Sequence, residues 1–244
     1  MKTIRLTLEY DGTDFVGWQI QPNGRSVQGV LETALGQILA APVRVHSAGR
    51  TDAGVHARGM VAHFSTTASL PLAAYREGLN RLLPMDVAVR AAAEAPDGFH
   101  ARFEARGKWY RYAIHSAPVR SPLHGRSAWH LRSELDLAAM EAAARDFVGR
   151  HDFAAFRAAG CDAKTTDREI YSLQLTQQGE LLCIDVRGEG FLRNMVRVMV
   201  GTLVEIGMRR RPESDVADLL RGGCREKAGR TAPAHGLCLM EVWY

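Results

Sequence analysis

The sequence predicts an α+β protein in two halves, each following the order β-α-β-β-α-β, and three observations predict it. Hydrophobic periodicity alternates between strand and helix spacing along the first hundred residues. Proline, glycine and acidic turn residues mark the points where the period changes. The second half then repeats the element order, although no sequence identity between the halves is visible.

Ile4 to Tyr10 reads as a strand closed by Asp11-Gly12. Val27, Val30, Leu31, Ala34, Leu35, Ile38 and Leu39 recur at helical spacing, with Ser26 as N-cap and Pro42 after the end. Val43 to Ser47 alternates like a strand, a loop runs from Gly49 to Gly59, and Val61 to Thr66 is its partner strand. Pro71 opens a second helix with Tyr75, Leu79, Leu82 and Leu83 on its apolar face, and Asp86 to Ala91 is a fourth strand. In the second half, Lys108–His115 is a strand and Leu137–Phe147 a helix. Arg168–Thr176 and Leu181–Arg187 form a hairpin across Gln177-Gln178-Gly179. Helices over about Gly190–Ile206 and Glu213–Leu220 precede a last strand, Leu237–Trp243. This is the split arrangement of ferredoxin-like (RRM-like) domains. It implies halves at 1–104 and 105–244, with antiparallel sheets flanking a central cleft that a large substrate would enter.

Composition sets the class. Apolar residues make up 46% and charged residues 24% of 244 positions, so a core can be buried and nothing suggests disorder or a fibre. The formal charge is +4, and lysine occurs only at Lys2, Lys108, Lys164 and Lys227. Genomic base composition is the plain explanation of an arginine-rich surplus, and RNA contact is the functional one. No pair among Cys161, Cys183, Cys224 and Cys238 has CxxC spacing, which argues against a zinc ribbon or a thioredoxin motif. The opening stretch lacks signal-peptide features and no apolar run is long enough for a bilayer, so the expected location is a reduced cytoplasm without membrane attachment.

Three constellations carry candidate chemistry. Gly49-Arg50-Thr51-Asp52-Ala53-Gly54-Val55-His56-Ala57 presents an arginine and an aspartate two residues apart on a glycine-bracketed loop, although Asp-Ala-Gly is also an ordinary turn. In Lys108-Trp109-Tyr110-Arg111-Tyr112, strand alternation sends Lys108, Tyr110 and Tyr112 to one face and Trp109 and Arg111 to the other. Such interleaving suits base stacking, and aromatics are also simply good strand formers. In Gly190–Gly201 the helix is apolar nearly all round, which predicts burial. Arg197 sits among those residues and needs a carboxylate or a polar cleft, or else reaches solvent along its stem.

Taken together these segments resemble the tRNA pseudouridine synthase A family. The resemblance covers essentially the whole chain, through Tyr10-Asp11-Gly12-Thr13, Gly17-Trp18-Gln19, the Gly49–Ala57 loop, Phe99-His100-Ala101-Arg102-Phe103, Tyr110-Arg111-Tyr112, His151-Asp152-Phe153, Phe191–Gly201 and Thr231–Gly236. The loop is the most specific of them. Leu237-Cys238-Leu239 stands where an aromatic is common, which touches no expected catalytic residue.

The resemblance implies a pseudouridine synthase fold, with Asp52 as the catalytic aspartate and Arg197 as the basic residue paired with it. Tyr110 resembles the active-site tyrosine that stacks on uracil, and Arg50 the arginine that enters the RNA where the target base has left. It implies an isomerase acting on uridines of the tRNA anticodon stem-loop, a homodimer, and no metal or organic cofactor. Arg58 and Arg102 are further candidates for phosphate contact. His56, His100, His124 and His151 share no common spacing and read as structural or RNA-facing, and His235 as packed against the site wall.

Other functions would use the same scaffold. A non-catalytic RNA-binding module or RNA chaperone is one, although the RNP1 pattern is missing and an acid in the central loop repels phosphates. A metal-dependent nuclease using Asp11, Asp14 and Asp52 is another, but these acids lack tight ligand spacing.

Overall fold

The computed structural model describes residues 1–161 and 163–244. The chain divides into two compact units, Met1–Arg106 with Cys238–Tyr244, and Gly107–Leu237.

In the first unit β1 (Lys2–Tyr10) lies between β3 (His56–Thr66) and β4 (Val87–Ala95), antiparallel to both. β2 (His46–Ser47) adds antiparallel to β3, so the order β4-β1-β3-β2 is that of the expected split β-α-β. β10 (Leu237–Trp243) pairs parallel with the start of β3 through Cys238↔His56 and Leu239↔Ala57. Alternation along β1 buries Ile4, Leu6, Leu8 and Tyr10. The register sets the first three opposite Phe64, Ala62 and Met60, all buried on the same face. Helix α1 (Val27–Leu39) buries Val27, Leu31, Ala34 and Leu35. Ser26 caps it as expected, accepting from Gly29 N at 3.2 Å.

Several local expectations needed correction. Val43–Ser47 is strand only at His46–Ser47. The Val45 amide donates to Glu32 Oε1 at 2.9 Å and its carbonyl accepts from Gln28 Nε2 at 3.2 Å, so side chains of α1 take the bonds a strand would make. The partner strand starts at His56 rather than Val61, because β1 and β10 pair residues that alternation alone does not mark. The Pro71 helix is a π-turn at Ala74–Gly78 followed by the single turn α2 (Leu79–Leu82).

In the second unit β5 (Gly107–Ser116), β9 (Leu181–Gly188), β8 (Asp167–Gln178) and β7 (Gly149–Asp152) form an antiparallel sheet in that order. β6 (Trp129–Leu131) runs parallel to β5. Neither β6 nor β7 shows a strand period in so few residues. The β8–β9 hairpin turns over Gly179-Glu180, with Gly179 at φ +59°. Helices α3 (Leu137–Arg145) and α4 (Met195–Gly207) pack closely: a Cβ on Gly207 would stand 2.5 Å from Met140 Sδ. α4 is buried nearly all round, as its composition predicts. It begins at Met195, not Gly190, behind Asn194 at φ +61°, a left-handed residue that no cap signal announces. α5 covers Asp215–Leu220. Among the described residues no helix is long and apolar enough to cross a membrane.

Candidate active site

Each unit positions part of the predicted constellation. In the first, the loop between β2 and β3 carries Arg50 and Asp52. Asp52, Ala53, Gly54 and Val55 form a turn closed by Val55 N donating to Asp52 O at 3.1 Å, and Gly54 takes φ +77°. Asp52 is half-buried and Arg50 exposed, so a carboxylate partly withdrawn from water stands two residues from a solvent-exposed cation.

The segment after β1 clamps this loop. The Tyr10 hydroxyl lies 2.8 Å from Thr51 Oγ1 in a buried setting, and Trp18 N donates to Thr51 O at 3.0 Å. Gly54 N donates to Phe15 O at 3.4 Å, and Gly12 N to His56 Nδ1 at 3.0 Å. Gly17, at φ +112°, would place a Cβ 2.7 Å from Thr51 O. A Cβ on Gly12 would stand 2.0 Å from Val55 O. The motifs Tyr10–Thr13 and Gly17–Gln19 therefore gain a physical role that the sequence does not display: they fix the backbone on both sides of Asp52. Their signal is the pairing of glycines with large aromatics, which marks close backbone approach.

Arg58, two residues into β3, is exposed. Arg102 is also exposed, on the turn after β4. Beside that turn, burial together with the neighbouring His100 and His46 pushes the His63 imidazole down to about 4. His63 Nδ1 accepts from Ala101 N at 3.2 Å, which requires that nitrogen to be unprotonated.

In the second unit the two faces of β5 separate as alternation predicts. Trp109 Nε1 and Arg111 Nε donate to Asp185 Oδ1 at 2.7 and 2.9 Å, and Arg111 Nη2 donates to Oδ2 at 2.9 Å. On the opposite face Tyr110 is half-buried, its ring edge-on to Phe191 at 5.2 Å. Tyr112 is fully buried and donates to Pro233 O at 2.8 Å; burial pushes its phenol well above the usual tyrosine range.

Arg197, half-buried on the first turn of α4, donates from Nε to Ala232 O at 2.7 Å and from Nη1 to Asn194 Oδ1 at 2.8 Å. Ala232 N returns a bond to Arg197 O at 3.0 Å. Gly201 lets the 229–232 backbone approach, since a Cβ there would meet Arg230 O at 1.7 Å. Gly236 does the same against the Tyr112 ring at 2.5 Å. The Thr231–Gly236 segment is thus moulded onto α4 and β5, and through it Arg197 and Tyr112 share one support. Phe191 is the residue the sequence reading left without a role. Among the described residues no three His, Cys, Asp or Glu side chains are grouped to hold a metal ion.

A family model described as tRNA pseudouridine synthase matches residues 7–104 and 143–244. The chain belongs to that family. The two matched stretches contain Arg50, Asp52, Arg58, Arg102 and Arg197, and Tyr110 falls between them. A tRNA pseudouridine synthase A of Syntrophotalea carbinolica is 62% identical over the whole chain and 97% of its own length. That of Pelobacter propionicus is 59% identical over the full length of both, and that of Citrifermentans bemidjiense 56% identical over 100% of this chain and 98% of its own. Among solved structures, one of an archaeal box H/ACA ribonucleoprotein complex aligns over 82% of this chain and 44% of its own, with a TM-score of 0.38 and 12% identity. Membership in this isomerase family rests on the sequence matches.

Proposed function

We propose that the protein isomerises uridine to pseudouridine in the anticodon stem-loop of tRNA, with Asp52 as the catalytic carboxylate. The observation that carries the reading is the clamped loop. Asp52 is half-buried on a turn held by bonds from Tyr10, Gly12, Trp18 and Gly54, beside an exposed Arg50. A carboxylate held at fixed geometry suits attack on a fixed sugar carbon.

The reaction breaks the N1–C1′ bond, turns the uracil and joins C5 to C1′, after which C5 releases its proton to solvent and N1 takes one up. Glycosidases that retain configuration pair a nucleophile with a separate general acid. Uracil leaves as an anion delocalised over two carbonyls, so one carboxylate suffices, either attacking C1′ or removing the C2′ proton. The target base must first leave its stack, at a cost of a few kcal/mol. Arg50 is proposed to occupy the vacated space and offset part of that cost. Arg197 is proposed to balance the charge of Asp52 and hold it ionised. Tyr110 is proposed to stack on the freed uracil while it turns. Arg58 and Arg102 are proposed to meet phosphates. No metal or organic cofactor enters this scheme. Homodimeric assembly and a cytoplasmic location belong to the same proposal and come from the family resemblance.

The test is tritium release from C5-labelled uridine in a tRNA transcript, with EDTA present. Release supports the reading. Tight tRNA binding without release would move the protein to the class of RNA-binding modules or chaperones.

A further inference from the structure

The turn that follows β4 is rigidly built. The amides of Phe103 and Glu104 both donate to His100 O at 3.1 Å. Glu104 Oε1 accepts from the His100 amide at 2.7 Å, and His100 Nδ1 from the Arg102 amide at 3.1 Å. Two long-range bonds tie its base to the unit: Ala101 N to His63 Nδ1 at 3.2 Å, and the Tyr244 hydroxyl to Ala101 O at 2.8 Å.

This turn holds an aromatic ring and a cation out to solvent. Phe103 is 76% exposed. Its ring stacks on His100 at 4.2 Å between centroids and an interplanar angle of 28°. His100 in turn meets His63 at 4.7 Å and His46 at 5.6 Å, so a ladder of rings runs from β2 and β3 to the surface and ends in Phe103. The Arg102 guanidinium, also exposed, lies 5.9 Å from the same ring. A single exposed apolar side chain is ordinary. An exposed ring on a locked backbone, backed by another ring and flanked by a cation, matches a stacking platform for single-stranded nucleic acid.

We propose that the Arg102–Phe103 turn is a base-stacking subsite for the substrate tRNA, with an unpaired nucleobase lying on Phe103 and the adjoining phosphate meeting Arg102. The inference rests on the tRNA reading above. Charge favours this occupant, because RNA brings phosphates to Arg102, whereas a second copy of a chain of net charge +4 brings more positive charge. The locked turn keeps the ordering cost of binding small.

The test compares Phe103→Leu and Arg102→Gln with wild type, measuring affinity for a tRNA transcript and for a fully paired RNA duplex of equal length. Phe103→Leu should keep the wild-type melting temperature, weaken tRNA binding roughly five- to a hundredfold, and change duplex binding less than about twofold. Arg102→Gln should weaken both and lower the slope of log affinity against log salt by about one. Wild-type tRNA affinity in Phe103→Leu, with wild-type protein binding and isomerising tRNA, overturns the subsite alone. Equal losses on both RNAs, or a loss that tracks a change in oligomeric state, overturns it in favour of a structural or protein contact. Wild-type protein that neither binds nor isomerises tRNA removes the functional reading and the subsite together.

Discussion

The Tyr10 hydroxyl meets Thr51 Oγ1 at 2.8 Å across forty-one residues of sequence, in a buried setting next to Asp52. Both side chains are almost wholly buried, so neither hydroxyl can turn to water if the other is lost. Tyr10→Phe should destabilise the protein by about 1–3 kcal/mol, the cost of leaving one buried hydroxyl unpaired. Turnover should fall further than the unfolded fraction explains, because the loop that carries the proposed catalytic carboxylate loses a support. Denaturant melts and single-turnover rates measured on the same preparation check this; a lower melting point at an unchanged rate would separate the clamp from catalysis.

Gly17→Ala tests the other arm of the clamp. The new methyl would sit 2.7 Å from Thr51 O at φ +112°, so strain and collision act together. A loss of about 2 kcal/mol or more is expected, well beyond the usual glycine-to-alanine effect. Urea unfolding measures it, and a neutral or stabilising result would mean the approach relaxes at no cost.

His63 predicts how stability varies with pH. Its folded pKa is pushed down to about 4 from 6.5, so between those values the unfolded chain binds more protons than the folded one. Stability therefore rises with pH through that window; it is fully present above 6.5 and lost as pH falls towards 4. The expected loss between pH 7 and pH 5 is about 1–2 kcal/mol from this group. Replacing it with glutamine, which still offers an acceptor to Ala101 N, should flatten that slope. Chemical denaturation at the two pH values reads it directly, and an equal slope in His63→Gln would assign the dependence elsewhere.

Arg197→Met removes the bonds to Ala232 O and Asn194 Oδ1 while keeping the apolar stem. The expected outcome is a fold weakened by about 1–3 kcal/mol and a rate reduced by more than tenfold, since the proposed counter-charge of Asp52 goes with them. A variant with normal rate and melting temperature would refute the pairing.

Much of this arrangement was legible beforehand, for identifiable reasons. Period-2 alternation marked β1 and β5 as strands and divided Trp109 from Tyr110. The nearly all-round apolar character of α4 announced burial, and Ser26 announced the start of α1. Short or unconventional features escaped. β6 and β7 have three and four residues, too few to show a period. Asn194 opens α4 from a left-handed conformation. The bonds from Glu32 and Gln28 that replace a strand at Val45 join residues far apart in sequence. The Gly49–Ala57 loop was recognisable by its order of residues, yet what holds it still, a tyrosine and three glycines among them, is visible only once the chain is folded. The partner of β10 was equally invisible, because strand pairing at that sequence distance leaves no local trace.

The central claim concerns Asp52, and tritium release from C5-labelled tRNA by wild type and Asp52→Ala, measured beside tRNA affinity, tests it most directly. Release by wild type, none by Asp52→Ala, and largely preserved binding would support Asp52 as the catalytic carboxylate. Release by Asp52→Ala at the wild-type rate, or loss of binding together with activity, would contradict it.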